Sequence, residues 1–187
     1  MSKKLSEMTL EELWRLFPIF LTKHQNKWEK WYNQEQTMLK NLFLEQVRIS
    51  HIGSTAITSI WAKPIVDILI EISPQCDMAV CKQLIEKSGY ICMLQTQNKM
   101  SFNKGYTEKG FAKKVFHLHL RNWGDNDELY FRDYLIENIS VAKQYEELKL
   151  DLWKQFEYDR DGYTNAKTEF IKKHTGIAKN LYKDRYN

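Results

Sequence analysis

Two runs of the chain carry most of the side chains that could do chemistry. One is His51-Ile52-Gly53-Ser54-Thr55. The other is Ile65-Val66-Asp67-Ile68-Leu69-Ile70-Glu71-Ile72, which places a carboxylate inside an apolar run. A carboxylate flanked by Ile65, Val66, Ile68 and Leu69 is expensive to bury unless it is paired, hydrogen-bonded or bound to a cation. Gly53 lets backbone approach a ligand closely, and Ser54 or Thr55 can cap a following helix whose free N–H groups favour phosphate. Glu71 lies four positions beyond Asp67 and shares its strand face by parity. A phosphate-cradling turn beside a strand carboxylate is the minimal equipment for magnesium-assisted nucleotidyl transfer, in which the metal joins phosphate oxygens to carboxylates. Each piece taken alone also has a structural reading, as an ordinary turn and a buried hydrogen-bonding Asp.

A second pair, His117 and His119, lies two residues apart, so a strand would project both imidazoles from one face. Beside the Asp67 strand, both rings would reach its carboxylate. Asp67, Glu71, His117 and His119 would then form a metal site, and Asp67, His117 and His119 are the expected catalytic residues. Imidazole suits zinc or another transition metal better than magnesium, and its ordinary pKa near 6.5 suits acid–base work. The competing reading has the histidines lining a pocket, hydrogen-bonded to Asp67 or Glu71. His51, Gly53, Ser54, Thr55, Lys63, Arg132, Tyr163 and Lys167 form the expected phosphate- or ligand-binding set. Lys63 precedes Pro64 at the strand entrance, Arg132 stands beside Asp133 near a helix start, and Tyr163 and Lys167 share a helix face at a spacing of four. Solvated ion pairing is the alternative for the charged members.

The elements that must position these groups follow from periodicity. Thr9 and Glu12 have capping-box spacing ahead of a first helix that Pro18 ends. A second helix is expected over 23–43, with Trp28, Trp31, Tyr32, Leu39, Leu42 and Phe43 on its apolar face. Val47 and Ile49 alternate with polar residues as a strand, and 65–72 reads as a central strand buried on both sides. A helix over 77–88 stops at Gly89. Residues 90–94 read as a strand, and 100–103 with 111–121 as a hairpin around Gly105 and Gly110. From about 126 the pattern is helical to the end, with breaks near 138–140 and 159–162. Helices, a small mixed sheet and more helices give an α+β class. The expectation is one domain over 1–187, with an N-terminal helical extension over about 1–22 and a helical C-terminal layer over about 126–187. The aromatic residues Trp28, Trp31, Tyr32, Trp153, Phe156 and Phe170 are spaced to pack helices on the sheet.

Composition narrows the classes. Of 187 residues, 43% are hydrophobic and 28% charged, which is globular rather than disordered. The 28 Lys+Arg against 24 Asp+Glu leave a net charge of +4, too weak to make nucleic acid an expected partner. The basic residues near the C-terminus, Lys172, Lys173, Lys179, Lys183 and Arg185, read as a solvated helix. Three cysteines without zinc-knuckle spacing read as reduced thiols. An N-terminus without an apolar stretch and a chain without a membrane-length apolar run lead to a cytoplasmic expectation, with no membrane partner and an open oligomeric state.

The ordered motifs His51-Ile52-Gly53-Ser54-Thr55-Ala56 and Ala62-Lys63-Pro64-Ile65-Val66-Asp67-Ile68-Leu69 resemble the signature of the GrpB family. The resemblance continues through His117-Leu118-His119, Phe131-Arg132-Asp133-Tyr134-Leu135, Ala142 to Lys149 and Tyr163-Thr164-Asn165-Ala166-Lys167, covering about residues 20–175. It implies a nucleotidyltransferase-like fold of the polymerase-β type. The implied function is binding of a nucleotide or other phosphorylated small molecule with a divalent metal (magnesium, manganese or a transition metal such as zinc) and possible nucleotidyl transfer. Active nucleotidyltransferases of this type resemble one another in two strand Asp residues two apart and a third carboxylate on a neighbouring strand. Here Leu69 takes the second position and His117 and His119 stand in the candidate third strand. Thr58-Ser59 replaces the Pro-Gly common in the family. Two other functions therefore stay open on the same residues, an inactive ligand- or protein-binding module and a metal-dependent phosphoester hydrolase. Kinase chemistry of the dephospho-CoA type would need a Gly-x-x-x-x-Gly-Lys-Ser/Thr loop, which the sequence lacks.

Overall fold

A computed structural model describes residues 3–43 and 47–186. After a 3-10 turn at Leu5–Glu7 come α1 (Leu10–Leu16), α2 (Lys27–Lys40), β1 (Val47–Ile52), a second 3-10 turn (Ser54–Ala56), β2 (Val66–Ile72) and α3 (Met78–Lys87). Then follow β3 (Ile91–Gln95), β4 (Lys99–Thr107), β5 (Gly110–Asn122) and the helices α4 (Asp127–Glu137), α5 (Ile139–Phe156), α6 (Arg160–Asn165) and α7 (Thr168–Tyr182). The five strands form one mixed sheet in the order β1-β2-β5-β4-β3. β1 runs antiparallel to β2, β2 parallel to β5, and β5, β4 and β3 antiparallel to one another. The α+β class with a small mixed sheet is therefore the observed one. Among the described residues no helix is long and apolar enough to cross a membrane.

β2 is an interior strand between β1 and β5, and both its faces are covered. Ile68, Ile70 and Ile72 pack with Phe116, Leu118 and Leu120 of β5 against Trp28, Trp31 and Leu39 of α2 and Cys81 and Ile85 of α3. On the opposite face Leu69 packs with Ile52 and Leu129 of α4. Ile57 and Ile60, from the segment after β1, pack under Leu135, Ala142 and Tyr145 of α4 and α5. The Thr9–Glu12 capping box is formed in both directions and α1 stops before Pro18. The stretch after α1 is extended rather than helical. Ile19 donates its N–H to the Glu157 carbonyl, and Thr22 pairs with Ala62.

Two local expectations are corrected. No α-helix follows Ser54: the chain makes a three-residue 3-10 turn and then an irregular path to Pro64. Thr55, Ile57, Thr58 and Ile60 are β-branched and poor helix formers, and the burial of Ile57 and Ile60 holds the irregular path in place. The hairpin is also longer than expected, with its turn at Glu108-Lys109, while Gly105 lies inside β4 where the β4–β5 register shifts, set against residues 112–115 of β5.

That shift decides where Tyr106 points. Lys104 sits over the Tyr90 and Phe116 rings on the α2 side of the sheet. Regular alternation along β4 would put Tyr106 on that same face. The shift turns it to the other side, where its hydroxyl meets His117. Gly105 has φ +92°, and a Cβ there would collide with the Lys114 carbonyl. Gly105→Ala is expected to destabilise the fold by about 1–3 kcal/mol and to weaken the Tyr106–His117 contact. Chemical denaturation together with the His117 ring resonances checks this, and an unchanged pair of values would contradict it.

Candidate functional site

The antiparallel β1–β2 pair carries the chain back so that the Gly53 turn lies against Asp67. Ile52 is the register partner of Asp67, and Gly53 has φ +68°. A Cβ at residue 53 would collide with the Asp67 carboxylate. Glycine is required here on both counts, since only it accepts that backbone and leaves room for the carboxylate.

The parallel β2–β5 pair sets His117 beside Asp67 and His119 beside Leu69. The two imidazoles part company from there. His117 Nδ1 lies 3.3 Å from Asp67 Oδ1, and its Nε2 lies 2.7 Å from the Tyr106 hydroxyl. Arg160 Nη2 donates to that hydroxyl at 2.9 Å. Burial lowers the His117 pKa, against the opposing pull of Asp67. A neutral ring that donates from Nδ1 to Asp67 leaves Nε2 to accept from the Tyr106 O–H, while the Tyr106 oxygen accepts from Arg160. This proton arrangement follows from the network. Burial pushes the Asp67 carboxyl up, but the hydrogen bond from His117 and the charge of Lys63 hold it below the ordinary carboxylate value. His119 Nδ1 faces Ser101 Oγ at 3.5 Å and Arg121 Nη2 at 3.4 Å, and burial takes its pKa down to about 4. The expectation that both rings reach Asp67 therefore holds for His117 alone.

Glu71 shares a strand face with Asp67, as parity requires, but four residues of strand separate them by roughly 13 Å. It is fully buried. Its Oε1 accepts from the Gly124 N–H (3.2 Å) and Asn126 Nδ2 (2.9 Å), and its Oε2 lies 3.5 Å from Arg48. Glu71 is thus corrected from a metal candidate to the acceptor that ties the β5–α4 loop to the sheet. Leu69, where a second metal-binding carboxylate would stand, is sealed under Ile52 and Leu129. Among the described residues no three His, Cys, Asp or Glu side chains converge to hold a metal ion. Of the four expected metal ligands, only Asp67 and His117 meet each other directly.

What converges instead is positive charge. A cavity of about 170 Å³ is lined by Gly53, Ser54, Thr55, Asp67, His117 and Tyr163, together with Lys63, Lys149 and Lys167. Lys149 Nζ donates to Ser54 Oγ at 3.0 Å and to the Trp61 carbonyl. Lys63 and Lys167 lie over the Tyr163 ring at 5.2 and 4.0 Å. Tyr163 is in α6 and Lys167 just beyond it, so the two meet although no single helix carries both. Burial lowers Lys149 to about 7, with Glu146 opposing. Burial and the neighbouring lysines lower Lys167 to about 7, and burial with Arg160 lowers Lys63 to about 8.

A larger cavity of about 660 Å³ shares Gly53, Ser54, Asp67, Tyr145 and Lys167 with the small one and extends past Phe131, His119 and Ile171 between the sheet and the C-terminal helices. Two expected ligand residues support the turn rather than the small cavity. His51 Nε2 meets Thr55 Oγ1 at 3.0 Å and its ring stacks on Tyr32. Arg132, within α4 rather than at its start, donates to the His51 carbonyl at 2.8 Å and pairs with Asp133. Arg132 also lines the larger cavity. Sequence reasoning missed Tyr106, Lys149 and Arg160 as site residues. Gly105 within a strand pattern was the available signal for Tyr106.

The molecule is thus a mixed-sheet α+β protein with a Gly-Ser turn set against a strand carboxylate. The sequence profile of the GrpB protein family matches residues 18–176, and the chain belongs to that family. It is similar to the glutamate-rich protein GrpB of Alkalihalophilus pseudofirmus, with 34% identity over 160 residues, 82% of this chain and 91% of the relative. Its fold is similar to that of the conserved protein GrpB from Enterococcus faecalis, at a TM-score of 0.75 and 27% identity, covering 87% of this chain and 99% of that one. The Cid1 poly(U) polymerase is a more distant likeness, at a TM-score of 0.48 and 10% identity, over 79% of this chain and 45% of that one.

Two outcomes follow. Glu71→Ala strips the Gly124 and Asn126 donors and Arg48 of their acceptor, and is expected to cost roughly 3–5 kcal/mol in denaturant unfolding. For the lysines, the folded values near 7 to 8 lie below the ordinary 10.5. Between those limits the unfolded chain binds protons that the folded chain does not, so ligand-free stability should rise with pH. Denaturation at pH 7 and pH 9 should show this gain in the wild type and a smaller gain in Lys167→Gln. Equal gains would contradict the buried, depressed state of Lys167.

Proposed function

We propose that the cleft around Gly53, Ser54 and Asp67 binds a phosphorylated small molecule of the nucleotide class. The observation that carries this reading is the surplus of buried positive charge. Three lysines border a cavity of about 170 Å³ whose lining includes a single carboxylate, Asp67. Buried ammonium groups with too few anionic partners are unstable until an anion joins them, and a cavity of that size suits a phosphate group. The adjoining larger cavity, with Phe131, Ile57, Ile171 and Tyr145 in its walls, would take an apolar or planar body attached to that phosphate.

In this reading Lys63, Lys149 and Lys167 offset phosphate charge, and Ser54 is oriented by its bond to Lys149 Nζ. The Arg160–Tyr106–His117–Asp67 chain of hydrogen bonds keeps the Asp67 carboxylate ionised and fixed. The family resemblance supports the nucleotide class. Transfer by a two-metal route has no second carboxylate to use, since Leu69 is buried under Leu129 and Ile52.

Isothermal titration with inorganic phosphate, AMP and ATP tests the proposal. Binding is expected, and Lys167→Ala or Lys63→Ala should each weaken it about 10- to 100-fold, the loss of one charge-assisted contact. Absence of binding by the folded wild type, or affinities untouched by both substitutions, would overturn it.

A further inference from the structure

The lysines also bear on the ion that normally accompanies phosphate in a site of this kind. A divalent cation needs several free oxygen or imidazole donors with a negative sum of charge. Among the described residues no three metal-ligating side chains converge, and most of the expected donors are already engaged. Asp67 Oδ1 faces His117 Nδ1 at 3.3 Å, and the carboxylate is packed so tightly on Gly53 that no Cβ fits between them. An Nδ1–H that donates to Asp67 cannot ligate, and His117 Nε2 is engaged by the Tyr106 hydroxyl at 2.7 Å. His119 Nδ1 lies 3.4 Å from the Arg121 guanidinium, a cation where a metal would need a lone pair. Leu69 has no donor atom and Glu71 is held by Gly124, Asn126 and Arg48.

The charge count agrees. Lys63, Lys149 and Lys167 line the small cavity with Asp67 as its one carboxylate. Glu146, the next acid, is committed to the Trp61 N–H at 2.6 Å and to Lys143 at 2.9 Å. A further +2 beside these lysines would disfavour their charged form, whereas a phosphate would favour it. An ammonium group is a compact point charge with three donors, able to meet a phosphate oxygen at hydrogen-bond range.

We infer that this protein binds its phosphorylated ligand without a divalent cation, with the ammonium groups of Lys63, Lys149 and Lys167 supplying the positive charge that a metal would otherwise bring. The inference rests on the phosphate-binding reading above and adds the identity of the counter-charge. It sets Asp67 in a different role from a metal ligand: its carboxylate repels the bound phosphate and serves to hold His117 and the lysines in place.

Titration of AMP and inorganic phosphate into the wild type and Asp67→Asn, each in EDTA and in excess Mg²⁺ or Mn²⁺, decides the matter. Asn keeps the shape of Asp and removes its charge. The wild-type Kd should agree within about threefold between chelator and metal, and Asp67→Asn should bind as tightly as the wild type or more tightly. Binding that appears only with metal and disappears in Asp67→Asn would overturn the inference while leaving the phosphate site standing. No binding in any condition would remove both. Calorimetry at pH 8 in buffers of different ionisation enthalpy gives a second readout. Proton uptake on binding is expected as the lysines recharge, and its absence would contradict a lysine-based site.

Discussion

An ionised carboxylate near the start of an apolar strand is costly, and Asp67 is flanked by Val66 and Ile68, both fully buried. Its retention there places a demand on every neighbouring element. The turn after β1 must have glycine at 53, because any side chain would occupy the space of the carboxylate. The adjacent strand must present a donor, and His117 does so from the register position opposite. That imidazole must in turn be held, which the Tyr106 hydroxyl and Arg160 accomplish through the register shift at Gly105 and the start of α6. Hydrogen bonds linked in this way support one another in a low-dielectric interior, and removing any one leaves a polar group without a partner.

Asp67 and Glu71 have the same chemistry and the same strand face, yet they differ in use. Glu71 is closed off by backbone and side-chain donors from the loop before α4, which satisfy it within the fold. Asp67 lies beside a cavity and faces lysines delivered by three separate segments: Lys63 from the entrance to β2, Lys149 from α5 and Lys167 from the end of α6. The C-terminal helices are thus more than a covering layer for the sheet. Their packing on Ile57, Ile60 and Leu69 brings two ammonium groups to the Gly-Ser turn and removes the space in which a second carboxylate could act. The GrpB family profile spans the turn, the strand and these helices together.

Local patterns were readable to the extent that local physics determines them. The β-branched run 65–72, the Thr9–Glu12 box, Pro18 and the alternation of Phe116, Leu118 and Leu120 with His117 and His119 all specify elements through contacts within a few residues. The pairing of Asp67 with His117 was accessible by strand parity. What parity cannot supply is depth along the strand, so Glu71 shares the Asp67 face yet meets donors from 124 and 126 instead. Lys149 meets Ser54 across 95 residues of sequence, and Arg160 meets Tyr106 across 54. Such pairs depend on helix packing, which no short window encodes. The short turn after Ser54 arose because burial of Ile57 and Ile60 overrode the cap signal.

In the proposed mode of binding, phosphate enters the lysine-lined cavity beside Asp67 with no metal between them. A crystal grown with AMP and Mn²⁺ tests it most directly, because manganese reveals itself by anomalous scattering. Phosphate density is expected within hydrogen-bond distance of Lys63, Lys149 and Lys167, with no anomalous peak next to Asp67. A manganese peak bridging Asp67 to the phosphate, or a phosphate lodged away from all three lysines, would contradict it.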